Sequence, residues 1–143
     1  MPVEVVRNHE ETVVVARFFG RLTEPDIKRA IQMAFATGRA EPGLDRIVII
    51  EPTAEVHELD SAALRRIQTC VHHEEVRGSA EVSFRSVFVH SSPLHTPLLR
   101  LYKAIWDELA LPGVEFHVAS SLAEASRLLG VRPPPLNDLS KRK

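Results

Sequence analysis

The run Arg46-Ile47-Val48-Ile49-Ile50 constrains this chain more than any other stretch. Four consecutive β-branched apolar residues leave no polar position to face water. A strand with one wet face alternates polar and apolar side chains, whereas a strand covered on both faces reads as a continuous apolar run. Such strands belong to parallel sheets, whose crossover connections carry helices onto the sheet faces.

The segments around this run fit that expectation. Thr12 to Phe19 (TVVVARFF) is rich in β-branched and aromatic residues and stops at Gly20, which predicts a strand. Phe84 to Val89 (FRSVFV) and Val114 to Val118 (VEFHV) predict two more, and Val3 to Val6 a short edge strand. Asn8-His9-Glu10-Glu11 fits a hairpin turn between the first two strands.

Helical signals fall between the later strands. Thr23 caps a helix with Pro25 in its first turn, and Ile27, Ala30, Ile31, Ala34 and Phe35 form its apolar stripe before Gly38. Asp60 or Ser61 caps a second helix with Leu64, Ile67 and Val71 on its core face and Gly78 beyond its end. Ser91-Ser92-Pro93 opens a third, whose apolar face is Leu98, Tyr102, Ile105, Trp106 and Leu109, broken at Pro112-Gly113. Ser121-Leu122-Ala123-Glu124 is a capping box, with Glu124 reaching back to Ser121, and the last helix buries Leu122, Ala125 and Leu129 and ends at Gly130.

The order β-β-α-β-α-β-α-β-α gives an α/β fold class: a mixed, mostly parallel five-stranded sheet covered by about four helices. Residues 1–131 form a single domain, and residues 132–143, with Pro133-Pro134-Pro135 and Lys141-Arg142-Lys143, an extended or disordered tail. A chain of 143 residues buries enough surface to fold without a metal or disulfide staple. A net charge of −1 argues against broad nucleic-acid binding, which needs a basic face. The single cysteine, Cys70, allows no intramolecular disulfide, so a reducing compartment suits the chain. There is no signal-peptide pattern at Met1-Pro2-Val3-Glu4 and no apolar run near the ~20 residues of a spanning helix, which predicts a cytoplasmic protein.

Three stretches carry a family resemblance. Val13 to Thr23 (VVVARFFGRLT) has an opening strand with a Gly-x-Leu exit. Ile47 to Leu64 has a buried strand, an acidic loop and the helix start Asp60-Ser61. Val114 to Leu129 has a closing strand and the helix start Ser121-Leu122-Ala123-Glu124-Ala125. With the element order over residues 3–131, these stretches resemble the STAS-like (SpoIIAA-like) superfamily of anti-sigma-factor antagonists, related to Sec14/CRAL-TRIO-like domains. The resemblance implies that fold and a non-catalytic role. Antagonist-type members bind partner proteins and are switched by phosphorylation of the serine in Asp-Ser, here Ser61; Sec14-like relatives hold apolar ligands or lipids. The antagonist pattern continues Asp-Ser-Ser-Gly, whereas this chain has Asp60-Ser61-Ala62-Ala63.

The candidate residues each have a functional and a plain reading. Asp60 and Ser61 form a docking or phosphorylation site on the resemblance and a helix cap on local grounds. Leu98, Leu99, Leu101, Tyr102, Ile105 and Trp106 make a face wider than one core stripe needs, which suits core packing, a homodimer contact or an apolar ligand pocket. His90, His95 and His117, with Glu51 or Asp60, are the residues a zinc site would need to bring together, but solvated or hydrogen-bonded histidines are the expectation. His72 and His73 point about 100° apart on a helix. Cys70 reads as an inert thiol near His73. The chain carries no Gly-x-Ser-x-Gly elbow and no phosphate-binding glycine loop, so no catalytic residue, metal or cofactor is assigned. The expected function is a regulatory or protein-interaction module possessing a protein partner or homodimer, the alternative a binder of a small apolar ligand.

Overall fold

A computed structural model of the chain describes residues 3–7, 13–36, 45–76, 84–90, 92–109 and 114–132. The expected turn at Asn8-Glu11, the stops at Gly38 and Gly78, the cap residue Ser91, the break at Pro112-Gly113, the tail from Pro133 and the side chains of His72 and His73 lie outside what is described. The elements are β1 (Val3–Arg7), β2 (Val13–Phe18), α1 (Glu24–Ala36), β3 (Asp45–Ile50), α2 (Ser61–Val76), β4 (Phe84–His90), α3 (Thr96–Leu109), β5 (Val114–Ala119) and α4 (Leu122–Leu129), with a short 3-10 turn, Pro93–His95, ahead of α3.

The five strands lie side by side in chain order, β1 antiparallel to β2 and the rest parallel. After β2 every crossover therefore steps one place in the same direction. Crossovers of one hand that all step the same way place their helices on one face. Accordingly α1, α2 and α3 share a core with one sheet face. Following the last described strand, α4 returns across the opposite face and packs Ala125 and Leu129 on Ile47, Ile49, Val87 and Val89.

Period-two alternation assigns each strand residue to a face. Val14, Ala16 and Phe18 stand in register with Arg46, Val48 and Ile50 under the three-helix layer. Val15, Ile47 and Val87 face the other way and are fully buried. The run Ile47–Ile50 is thus apolar throughout because helices cover both of its faces, as the sequence predicts.

Local chemistry sets the element ends. Thr23 Oγ1 accepts from the Asp26 N–H at 3.4 Å while Asp26 Oδ2 accepts from the Thr23 N–H at 3.2 Å, a reciprocal cap on α1. The α3 segment starts later than its Ser-Ser-Pro signal suggests, because Ser92 caps the 3-10 turn and the α-helix begins only at Thr96. On α4, Ser121 Oγ accepts from the Glu124 N–H at 3.1 Å as expected. The return contact differs: Glu124 Oε2 accepts from the N–H and hydroxyl of Ser120, at 2.9 and 2.8 Å, and not from Ser121. These Ser120 hydrogen bonds hold the Glu124 carboxyl below its usual range. Gly130 ends α4 at φ 69°, a left-handed conformation that a Cβ disfavours.

Ile47 is 0% exposed at the centre of the middle strand. Ile47→Val should cost about 0.5–1.5 kcal/mol and Ile47→Ala about 2–5 kcal/mol. Urea unfolding followed by circular dichroism would measure both. A loss for Ile47→Ala below about 1 kcal/mol would contradict the double-sided burial of β3.

Candidate ligand cavity

The three-helix layer does not fill the space above its sheet face. The residues that alternation places there include Val14, Ala16, Val48 and Ser86, all small. Larger side chains stand around them: Phe18 on β2, Phe88 on β4, Phe116 on β5, and Tyr102 and Trp106 on α3. The aromatic rings pack on one another, Phe88 stacking on Phe116 at 4.8 Å between centroids and Trp106 meeting Tyr102 edge-on at 6.1 Å. With these rings standing around the small residues, the helices do not pack down onto them. What remains is a partly open cavity of about 120 Å³ between β2–β5 and α1–α3. Its walls are almost wholly apolar. Of its lining residues, Arg46, Ser86, Tyr102 and Glu115 carry side-chain polar groups.

The carboxyl end of the cavity is closed by the loop from Glu51 to Asp60, which adds Val56 and Leu59 to the lining. Backbone hydrogen bonds fix this loop to the exit of β2: Glu51 N–H to Phe18 O at 3.0 Å, Leu22 N–H to Glu55 O at 3.0 Å and Glu55 N–H to Gly20 O at 2.7 Å. Gly20 takes φ 68° there, which makes it the residue suited to that turn. From α3's side, His95 Nε2 donates to the Ala54 carbonyl at 2.9 Å. A carbonyl only accepts, so Nε2 carries a proton in this contact. His95 is 2% exposed, and its Nδ1 is buried with no hydrogen-bond partner among the described residues.

Ion pairs clasp the helix layer from outside. Arg66 on α2 grips both carboxylate oxygens of Glu24 on α1, at 2.7–2.9 Å. Lys28 approaches the same carboxylate at 2.9 Å. Arg65 on α2 reaches Glu108 on α3 at 2.9 Å. The Arg66 hydrogen bond, then that of Lys28, hold the Glu24 carboxyl down at about 2, from an ordinary value of 4.5.

The residues singled out in the sequence fall in several places. Leu98, Leu99, Tyr102 and Trp106 line the cavity. Ile105 is buried in the adjoining core, and Leu101 turns outward at 38% exposure. Asp60 caps α2, its Oδ1 accepting from the Ala63 N–H at 2.8 Å. Ser61 is the first residue of α2 and is exposed. The histidines do not converge: His90 donates from Nδ1 to the Ser92 carbonyl at 3.2 Å, His95 holds the loop, and His117 lies 3.3 Å from Glu115 on the other sheet face. Among the described residues no three His, Cys, Asp or Glu side chains are grouped to hold a metal ion. Cys70 is partly buried on α2. None of the described helices is long and apolar enough to cross a membrane. Arg46 and Ser86 had no sequence signal as site residues, because a strand's facing cannot be told from one strand alone. The chain matches no protein-family model, and no curated protein matches it.

Two predictions follow from the cap and the clasp. Asp60→Ala should cost about 0.5–2 kcal/mol, since it strips a helix cap. Ser61→Ala should stay within about 0.5 kcal/mol of the parent, as an exposed residue without that role. Equal losses in chemical denaturation would show that Ser61 shares the capping. For Glu24 the folded-state value is lowered, so its contribution is complete above about pH 4.5 and fades as pH falls towards 2. Glu24→Gln should therefore flatten the fall in stability across that window. Parallel acid unfolding curves for parent and variant would refute the clasp.

Proposed function

We propose that this chain is a non-catalytic module of the STAS-like kind that holds a small apolar ligand between its sheet and its α1–α3 layer. The observation that carries the reading is the cavity itself. A concave, largely apolar space of about 120 Å³, lined by aromatic side chains with a few polar groups, has the character of a small-molecule site. The space is similar to the ~150 Å³ engineered cavity that takes up benzene, so one ring or a short branched chain suits it better than a long lipid.

The element order supports the STAS-like assignment, since it follows that group's order from the antiparallel opening pair to the closing helix. A second reading has its own observation, the exposed Ser61 next to the Asp60 cap. In that reading the α2 start docks a protein partner. A phosphate on Ser61 would lie at a helix N-terminus, where the dipole tolerates it, and within one turn of Arg65. There it would compete with Glu108 for that guanidinium.

Toluene is a suitable probe, and Trp106, the chain's single tryptophan, is a built-in reporter on the cavity wall. Saturable quenching of its fluorescence is expected, with a stability gain of about 1.4 kcal/mol at ten times Kd. Ala30→Leu, which fills the cavity from α1, should fold and lose the response. Absence of a saturable response in the parent, or an undiminished response in the Ala30→Leu variant, would sink the ligand reading.

A further inference from the structure

β5 lies at one edge of the sheet, and among the described residues it pairs only with β4. An edge strand offers a row of free N–H and C=O groups to any strand that can lie beside it. Proteins that avoid such contacts place lysine, proline or a bulge on the edge. The strand Val114–Ala119 (VEFHVA) has no lysine and no proline, and it runs along β4 in unbroken register. It also presents exposed side chains on both sides of the sheet. Val118, in register with Phe88 on the cavity face, is 46% exposed. Glu115 and His117, on the α4 face, have side chains 61% and 39% exposed.

The order of these residues is self-complementary. A two-fold axis perpendicular to the sheet sets two copies of an edge strand antiparallel, and residues directly opposite then share one face. Centred on Phe116, it places Glu115 opposite the partner's His117 and His117 opposite the partner's Glu115. Within one chain Glu115 Oε1 already lies 3.3 Å from His117 Nε2. The paired strands therefore alternate carboxylate and imidazole, each carboxylate beside one imidazole of its own strand and one from across. Opposite charges across strands are stabilising, and a neutral imidazole still has an N–H for the carboxylate. The β1 edge lacks this property. Glu4 and Arg7 are three positions apart, so no such axis sets one opposite the other. Its apolar residues are also taken up, since Val3 is buried and Val5 and Val6 pack against the two cores.

We propose that two copies of this chain join their sheets edge to edge, through antiparallel β5 strands centred on Phe116. The pairing gives the open backbone groups of both edges hydrogen-bond partners. It brings Val118 against the partner's strand and Phe116, a wall of the cavity, against the partner's Phe116. Both copies use the same edge, so the assembly closes at two chains. The dimer does not depend on what occupies the cavity.

Sedimentation equilibrium of the full chain across a concentration series reads the mass directly. It should rise from one chain to two and stop there. Glu115→Lys sets a cation against the partner's His117 and acts twice in a symmetric pair, so the dimer dissociation constant should rise about tenfold. Val118→Lys should weaken the dimer to a similar degree, as lysine does on natural sheet edges. The double variant Glu115→Lys/His117→Glu exchanges the charges and should return the constant to within about threefold of the parent. Circular dichroism should be unchanged throughout, since all three positions are solvent-accessible. A single-chain mass at every concentration would overturn the proposal, as would masses beyond two chains. A dimer that neither Glu115→Lys nor Val118→Lys weakens would place the contact on another surface and overturn it too. A double variant no tighter than Glu115→Lys would overturn the register centred on Phe116.

Discussion

The direction in which the chain steps through its sheet governs everything else in this molecule. Three successive crossovers, each moving one strand onward, leave α1, α2 and α3 on a single face. A fold that reverses its strand order instead divides its helices between the faces and opens a crevice at the reversal. Here there is no reversal after β2, so a crevice of that kind does not arise. The available space lies inside, under the helix layer. Loops at the sheet's carboxyl end, which would carry a site in a doubly wound fold, act here as a lid on the interior, with Val56 and Leu59 turned inward.

Size differences between side chains then decide whether that layer closes. On the α4 face, Val15, Ile47 and Val87 meet Ala125 and Leu129, and the small residue on the helix receives the large ones on the sheet. On the other face the small residues are on the sheet, at Ala16 and Ser86, and again on α1, at Ala30. Small opposes small while aromatic residues prop the surroundings. The same rule of complementary packing that seals one face leaves the other hollow.

Most of the fold was legible in the sequence, because it rests on local signals. β-branched runs gave the strands, and Thr23, Ser121 and Gly130 marked helix ends where the structure has them. What escaped depends on pairing. Arg46 read as the polar start of an apolar run, and only the register with Val14 and Ser86 puts it on the hollow face. In the sequence His95 is a solvated or hydrogen-bonded histidine; that it is buried and bonded to the Ala54 carbonyl, 41 positions earlier in the chain, is a long-range contact no local signal carries. The broad apolar face of α3 was visible, but its division into lining residues and the outward Leu101 was not, since both lie within one helical stripe. Glu124 accepts from the Ser120 N–H and hydroxyl while the Ser121 Oγ caps the helix, a division between two neighbouring serines that the residue types alone do not distinguish.

Charge is distributed in a way that follows from the same layering. The clasps Arg66–Glu24 and Arg65–Glu108 sit on the outer surface of the helix layer, where water screens them and each contributes little. Their arrangement nevertheless joins α1 to α2 and α2 to α3, the two seams by which the layer could part over the cavity. Beneath the ion pairs the same seams are packed: Leu64 and Ile67 of α2 share one core with Ile27 and Ala30 of α1 and with Leu99, Tyr102 and Ile105 of α3, and the Gln68 amide donates to the Tyr102 carbonyl at 3.0 Å. The aromatic rings belong to that interior, packed on one another. The helix layer is thus held from within, and the solvated pairs outside add little to it.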